Sequence, residues 1–274
     1  MKSTLKIAAV SYLNTIPFLY GLIHHPISTQ LEIIKDTPSA IFKLFKKNEV
    51  DIALMPVGAL PKLHDFTIFS SFCIGCNGAV ATVQLFSNDK IDTITTVFLD
   101  YQSMTSVNLC RIVFKEIFKR DDVTFLPTKP GYERQLESNE AALIIGDRAT
   151  YALKYYKYSY DLGELWFNKF QLPFVFAVWI SATPLADDLI NKFDEAFAAG
   201  MLERDKIVTQ FSFFNNTKFN VHDYLFTKLQ YKLDNQKRLG MQLFLEKMNE
   251  LAPLQSQTTL TNKPLHSTVD KWEL

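Results

Sequence analysis

The sequence has no surplus of charge: 29 Lys and Arg balance 29 Asp and Glu. A chain built to ride on nucleic acid or an anionic membrane would carry a basic excess, so neither partner is expected. Cysteine is scarce. Cys73, Cys76 and Cys110 form an odd set, which argues against a fully paired disulfide framework of the secreted type. The C-x-x-C spacing of Cys73 and Cys76 invites a redox or zinc reading. No further ligands stand at a suitable spacing, and the pair sits in the apolar, glycine-containing run 71–80. Both are therefore read as small buried or loop residues. No apolar run reaches the roughly 18 residues of a membrane span. The first apolar run breaks at Ser11 and Tyr12, short of the roughly 7–15 residues of a signal-peptide core. A cytoplasmic location is expected. G-x-G-x-x-G, Walker A, G-x-S-x-G and H-E-x-x-H are all missing, and no metal or organic cofactor is called for.

What remains is an average globular composition in 274 residues, enough for one large domain or two modest ones. Aromatics are abundant, with 23 Phe, 11 Tyr and 3 Trp, which fits aromatic-rich packing and an apolar cleft. The first third alternates strand, helix, strand, helix, strand: strands at 6–10, 31–35 and 51–55, helices at 17–24 and 37–47. That order predicts a parallel sheet with right-handed crossovers. Strands are expected at 66–69 and 79–87, then a second α/β block with strands at 96–99, 123–126 and 141–145. An apolar run at 174–181 reads as the return crossing, and 184–251 reads as helical. The layout is two α/β lobes around a central cleft. Lobe one takes 1–88 with 182–274, lobe two takes 89–181, and 255–274 forms a polar tail. In such proteins the ligand sits where strand ends and helix N-termini of the lobes face each other.

Four polar stretches fall at strand ends. The first, Ser11 to Thr15, contains Tyr12 and Asn14. Asn14 brings one acceptor and two donors, and a helix cap is the simpler reading. The second, Gly75 to Thr82, has glycines that let a ligand approach the backbone, or forms a plain hairpin loop; Thr82 points into the cleft on the first reading. The third, Asp100 to Ser106, clusters Ser103, Thr105 and Ser106 between a strand and a helix. One hydroxyl suffices for a cap. Three favour an anion site that needs no Lys or Arg. The fourth, Leu143 to Arg148, sets Gly146 and Asp147 at the carboxyl end of a buried strand. Asp147 either caps the next helix or faces the cleft as acid, base or orienting group. The histidines, at positions 24, 25, 64, 222 and 266, fall outside all four stretches, so a histidine-based mechanism has little support.

At these stretches the sequence resembles the chorismate dehydratases of the futalosine route to menaquinone. The matching blocks are Val10-Ser-Tyr-Leu-Asn-Thr-Ile-Pro17, Asp51-Ile-Ala-Leu-Met-Pro-Val57, Leu99-Asp-Tyr-Gln-Ser-Met-Thr-Ser-Val107 and Leu143-Ile-Ile-Gly-Asp147. A fifth joins Asp161-Leu-Gly-Glu-Leu-Trp166 to Leu172-Pro-Phe-Val-Phe-Ala-Val-Trp179. They follow the family's order from residue 5 to about 250. The resemblance implies a type II periplasmic-binding-protein fold. It also implies loss of water from chorismate to give 3-[(1-carboxyvinyl)oxy]benzoate. It assigns Asn14, Thr82 (a serine in the family) and Asp147 to catalysis, and Tyr12, Ser103, Thr105, Ser106 and Gly146 to substrate binding. The proton acceptor is either Asp147 or the substrate's own side-chain carboxylate. The rivals are a non-catalytic binding protein for small anions and the sister 1,4-dihydroxy-6-naphthoate synthase.

Overall fold

The computed structural model describes residues 4–132 and 136–251; the polar tail at 255–274 lies outside the described residues. The chain opens with β1 (Leu5–Val10), α1 (Ile16–His24), β2 (Leu31–Asp36), α2 (Pro38–Lys46) and β3 (Ile52–Pro56). Pro17 and Pro38 sit in the first turns of α1 and α2, where the missing N–H is not needed. All five residues of β3 are buried, as expected of a parallel strand covered on both faces. β4 (Thr67–Cys76), β5 (Val83–Ser87), β6 (Thr96–Leu99), α3 (Thr105–Val113), β7 (Thr124–Pro127), β8 (Glu140–Ile145) and α4 (Asp147–Ala152) follow. Then come β9 (Tyr158–Asp161), α5 (Leu162–Phe170), β10 (Phe174–Ser181), α6 (Asp187–Leu202), α7 (Arg204–Gln210), α8 (Val221–Asp223), β11 (Leu229–Lys232) and α9 (Asn235–Asn249).

The strands form two sheets, one per lobe. The six-stranded sheet has the order β11-β4-β10-β3-β1-β2 and the five-stranded sheet β7-β6-β8-β5-β9. β2, β1 and β3 are parallel, as the alternation predicts, while β10 and β4 run antiparallel to their neighbours. Aromatics fill the first lobe. Phe18 packs edge-on against Trp179, and Trp179 stacks on Phe197 at 4.8 Å.

The sheets divide the chain differently from the boundaries expected at 88/89 and 181/182. β5 pairs with β8 and β9 in the second sheet, and β10 pairs with β3 and β4 in the first. The polar break after Ser87 closes a strand of lobe two. The connections between sheets run earlier, through 77–82 and 162–173. β4 extends to Cys76, beyond the expected 66–69. The stretch 184–251 is not wholly helical, because β11 adds an edge strand to β4. All three cysteines are free and buried. Burial pushes the Cys73 thiol up to about 12, so it stays an unreactive thiol.

Candidate active site

Each expected stretch leaves a strand end and turns sharply. After β1, Thr15 N–H donates to Tyr12 O at 2.9 Å, which brings Asn14 over the mouth of α1. Between β4 and β5 the chain crosses to the second lobe with Gly78 at φ 105° and Ala81 at φ 67°. Asp161 holds this crossing. Its carboxylate accepts Val80 N–H at 3.0 Å, Ala81 N–H at 2.6 Å and Gln84 Nε2 at 2.7 Å, and it also caps α5 through Gly163 and Glu164. Burial pushes the Asp161 carboxyl up and the four amides pull it back. At the head of α3, Ser103 Oγ accepts Ser106 N–H at 2.8 Å. Gly146 links β8 to α4 at φ 63°. A side chain there would also meet the Tyr12 ring at 3.1 Å, so the position suits only glycine.

These turns enclose a cleft between the lobes. Tyr12, Asn14, Thr82, Ser103, Thr105, Ser106 and Gly146 all line it. The rest of the wall is largely apolar and includes Leu54, Ile74, Val80, Ile145 and Phe176. Among the described residues no Lys, Arg, His, Asp or Glu lines this cleft. An anion held here would rely on hydroxyls, amides and the α3 N-terminus.

Asp147 follows the lining residue Gly146 in the chain. It is buried and absent from the lining; its carboxylate accepts the Leu13 amide at 3.2 and 3.3 Å. Two lining residues also have hydroxyls already engaged. Thr105 Oγ1 accepts Gly58 N–H at 3.0 Å and donates to Phe176 O at 3.1 Å, tying lobe two to the first sheet. The Tyr12 phenol donates to Gln102 Oε1. Gln102 Oε1 also accepts Arg148 at 2.8 Å, and Arg148 pairs with Asp100 at 2.7 Å. Burial pulls the Arg148 guanidinium down, but the adjoining Asp100 raises it overall, so the guanidinium stays charged behind the cleft wall. Burial pushes the Tyr12 phenol up, with Asp100 adding to the effect, so it stays protonated.

Sequence reading missed Tyr224, Tyr231 and Asp161 as supports of the site. Tyr224 lies 2.8 Å from Thr82 Oγ1, and the Tyr231 phenol donates to Asn14 O at 3.1 Å. Both tyrosines come from a segment expected to be plain helix, more than 140 residues beyond the groups they meet, where no local signal marks them.

A family model described as menaquinone biosynthesis matches residues 5–250. The chain belongs to the menaquinone biosynthesis family. Within that identification, a chorismate dehydratase of Thermus thermophilus is similar to this chain at 25% identity over 269 residues, covering 84% of this chain and 94% of the relative. Among solved structures, a protein of Archaeoglobus fulgidus is similar at TM-score 0.69 and 12% identity, covering 90% of this chain and 97% of its own. The periplasmic aliphatic sulphonate binding protein of Escherichia coli is similar at TM-score 0.60 and 15% identity, over 98% of this chain and 97% of its own. These structural likenesses show the fold: this menaquinone biosynthesis family member is built like a periplasmic binding protein. Among its described residues no helix is long and apolar enough to cross a membrane.

Proposed function

We propose that this protein is a chorismate dehydratase that removes water from chorismate to give 3-[(1-carboxyvinyl)oxy]benzoate, acting in the cytoplasm. The observation that carries the reading is the joint presence of Asn14, Thr82, Ser103 and Ser106 on one uncharged cleft wall, in a chain similar to a chorismate dehydratase. The reaction breaks the C3–H and C4–OH bonds, and the ring becomes aromatic. Aromatisation supplies driving force, so the protein has to bind, orient and assist departure of the hydroxyl.

One carboxylate of the dianion docks at Ser103, Ser106 and the N-terminus of α3. Asn14 and Thr82 hydrogen-bond the leaving hydroxyl and the enolpyruvyl group. Asp147 is engaged by the Leu13 amide, and the proton acceptor in this reading is the substrate's enolpyruvyl carboxylate, folded over C3. The apolar wall keeps water from that carboxylate and so raises its basicity. The proton and the hydroxyl leave together as water.

Likeness to a sulphonate-binding protein supports a second reading, a non-catalytic receptor for a small anion. Incubating the purified protein with chorismate and following products by ultraviolet absorbance and mass separates the two. Dehydration yields the carboxyvinyloxybenzoate, with a mass one water below chorismate. Unchanged chorismate with saturable binding favours the receptor. Naphthoate formed from a cyclic futalosine substrate would point to the sister synthase.

A further inference from the structure

Tyr12 and Leu13 leave β1 in lobe one, yet both bond to lobe two. Leu13 N–H reaches the Asp147 carboxylate at 3.2 Å. The Tyr12 ring lies over Gly146, where a Cβ would meet Cε1, Cε2 and Cζ at 3.1 Å; these equal distances set the face of the ring against the glycine. The Tyr12 phenol meets the Gln102 side chain, and Arg148 Nη2 meets the same Gln102 atom at 2.8 Å. A guanidinium only donates, so that atom is the amide oxygen, which only accepts. The phenol therefore gives its proton to Gln102. Arg148 is in turn held by Asp100 at 2.7 Å, and Asp100 also accepts the Gln102 and Ile145 amides at 2.8 and 3.0 Å. Gly146, Asp147 and Arg148 are consecutive, at the step from β8 into α4. With Gln102 they form a socket for the Tyr12–Leu13 step, and Asn14 is the next residue along.

We infer that Gln102 is a positioning residue for the reaction in the cleft: it takes the Tyr12 phenol proton and, with Arg148 behind it, seats the turn that carries Asn14 against lobe two. Gln102 is not among the described lining residues of the cleft, so its side chain acts on a bound ligand through the residues it holds. Tyr12 serves the ligand through its ring, because its one proton is spent on Gln102. Arg148 acts without touching the ligand, by fixing which atom of the Gln102 amide faces the phenol. Ser103 and Ser106 stand on the lobe that makes the socket, so seating Tyr12 and Leu13 there sets Asn14 at a fixed distance from those two hydroxyls.

The test has two arms. The kinetic arm rests on the dehydratase reading, and the exchange arm does not. Gln102→Met removes the acceptor. Tyr12→Phe removes the phenol and leaves the Gln102–Arg148 contact, so it serves where Gln102→Met fails to fold. In ¹⁵N-labelled protein without ligand, the Leu13 backbone amide is expected to exchange slowly in the wild type and about tenfold faster or more in either variant. With chorismate, each variant is expected to lower kcat by about tenfold or more and leave KM within about threefold. The double variant Gln102→Met/Tyr12→Phe is expected to be no slower than the slower single variant, because both changes break one bond. A Leu13 amide indifferent to both variants overturns the inference. So does an unchanged kcat in an active protein, or losses that multiply in the double variant. A wild type that ignores chorismate while its Leu13 amide responds to the variants sinks the dehydratase reading and supports the socket.

Discussion

The Leu13 amide donates to both oxygens of the Asp147 carboxylate, at 3.2 and 3.3 Å. This bond crosses from the end of β1 in one lobe to the start of α4 in the other. It holds the peptide next to Asn14. In the proposed reaction Asp147 therefore orients Leu13, and the substrate's own carboxylate takes the proton.

Replacing Asp147 with asparagine checks this. The amide oxygen still accepts from Leu13, so kcat for chorismate dehydration is expected to stay within about tenfold of wild type. A general base at that position would cost about 10²–10⁴-fold. Steady-state kinetics of Asp147→Asn decides between them.

Gly58 lies close against the head of α3. A Cβ there would lie 2.7 Å from Met104 O and 2.8 Å from Thr105 Cα. Neither backbone atom yields cheaply, so Gly58→Ala is expected to wedge the lobes apart and break the Gly58–Thr105 bond. The expected cost is about 1–3 kcal/mol of stability, read by urea denaturation, with a raised KM.

Asp161 anchors the crossing that carries Thr82. Asp161→Ala leaves the Val80 and Ala81 amides without this acceptor, at about 1–3 kcal/mol for each buried group left unsatisfied. Both stability and kcat are expected to fall, because Thr82 loses its placement. An Asp161→Ala protein with wild-type kcat would separate the anchor from the chemistry.

The cleft lining contains Tyr12 as an ionisable group, and burial raises its pKa. For an acid, a raised pKa means the neutral form persists to higher pH. Alkaline loss of activity is therefore moved away from neutrality. The kcat profile is expected to be flat from about pH 6 to about pH 9, on the acid side as well, where no histidine among the described lining residues titrates. A limb near about 6.5 would require a histidine that is not among the described lining residues.

Much of this was legible in the chain because local signals and fold agreed. Short apolar strands alternating with proline-started helices gave the β1–β3 block, and hydroxyls after β6 marked the head of α3. The misreadings share a cause. Ser87 to Lys90 has turn chemistry, but a turn within a lobe and a crossing between lobes look alike in sequence. β11 is a four-residue edge strand, made a strand by pairing with β4 instead of by its own pattern. Tyr224 and Asp161 act across 142 and about 80 residues, distances at which no periodicity or spacing rule operates. Asp147 carried the right chemistry for a base, and only the fold reveals that its carboxylate turns to a backbone amide.

The central claim is that uncharged donors in the interlobe cleft dehydrate chorismate, with Asn14 touching the substrate. The most direct measurement is kcat for chorismate dehydration by Asn14→Ala beside the wild type, both confirmed folded by circular dichroism. The account predicts an active wild type and a loss of about 10²-fold or more in the variant. Near-normal turnover by Asn14→Ala, or an inert wild type, would contradict it.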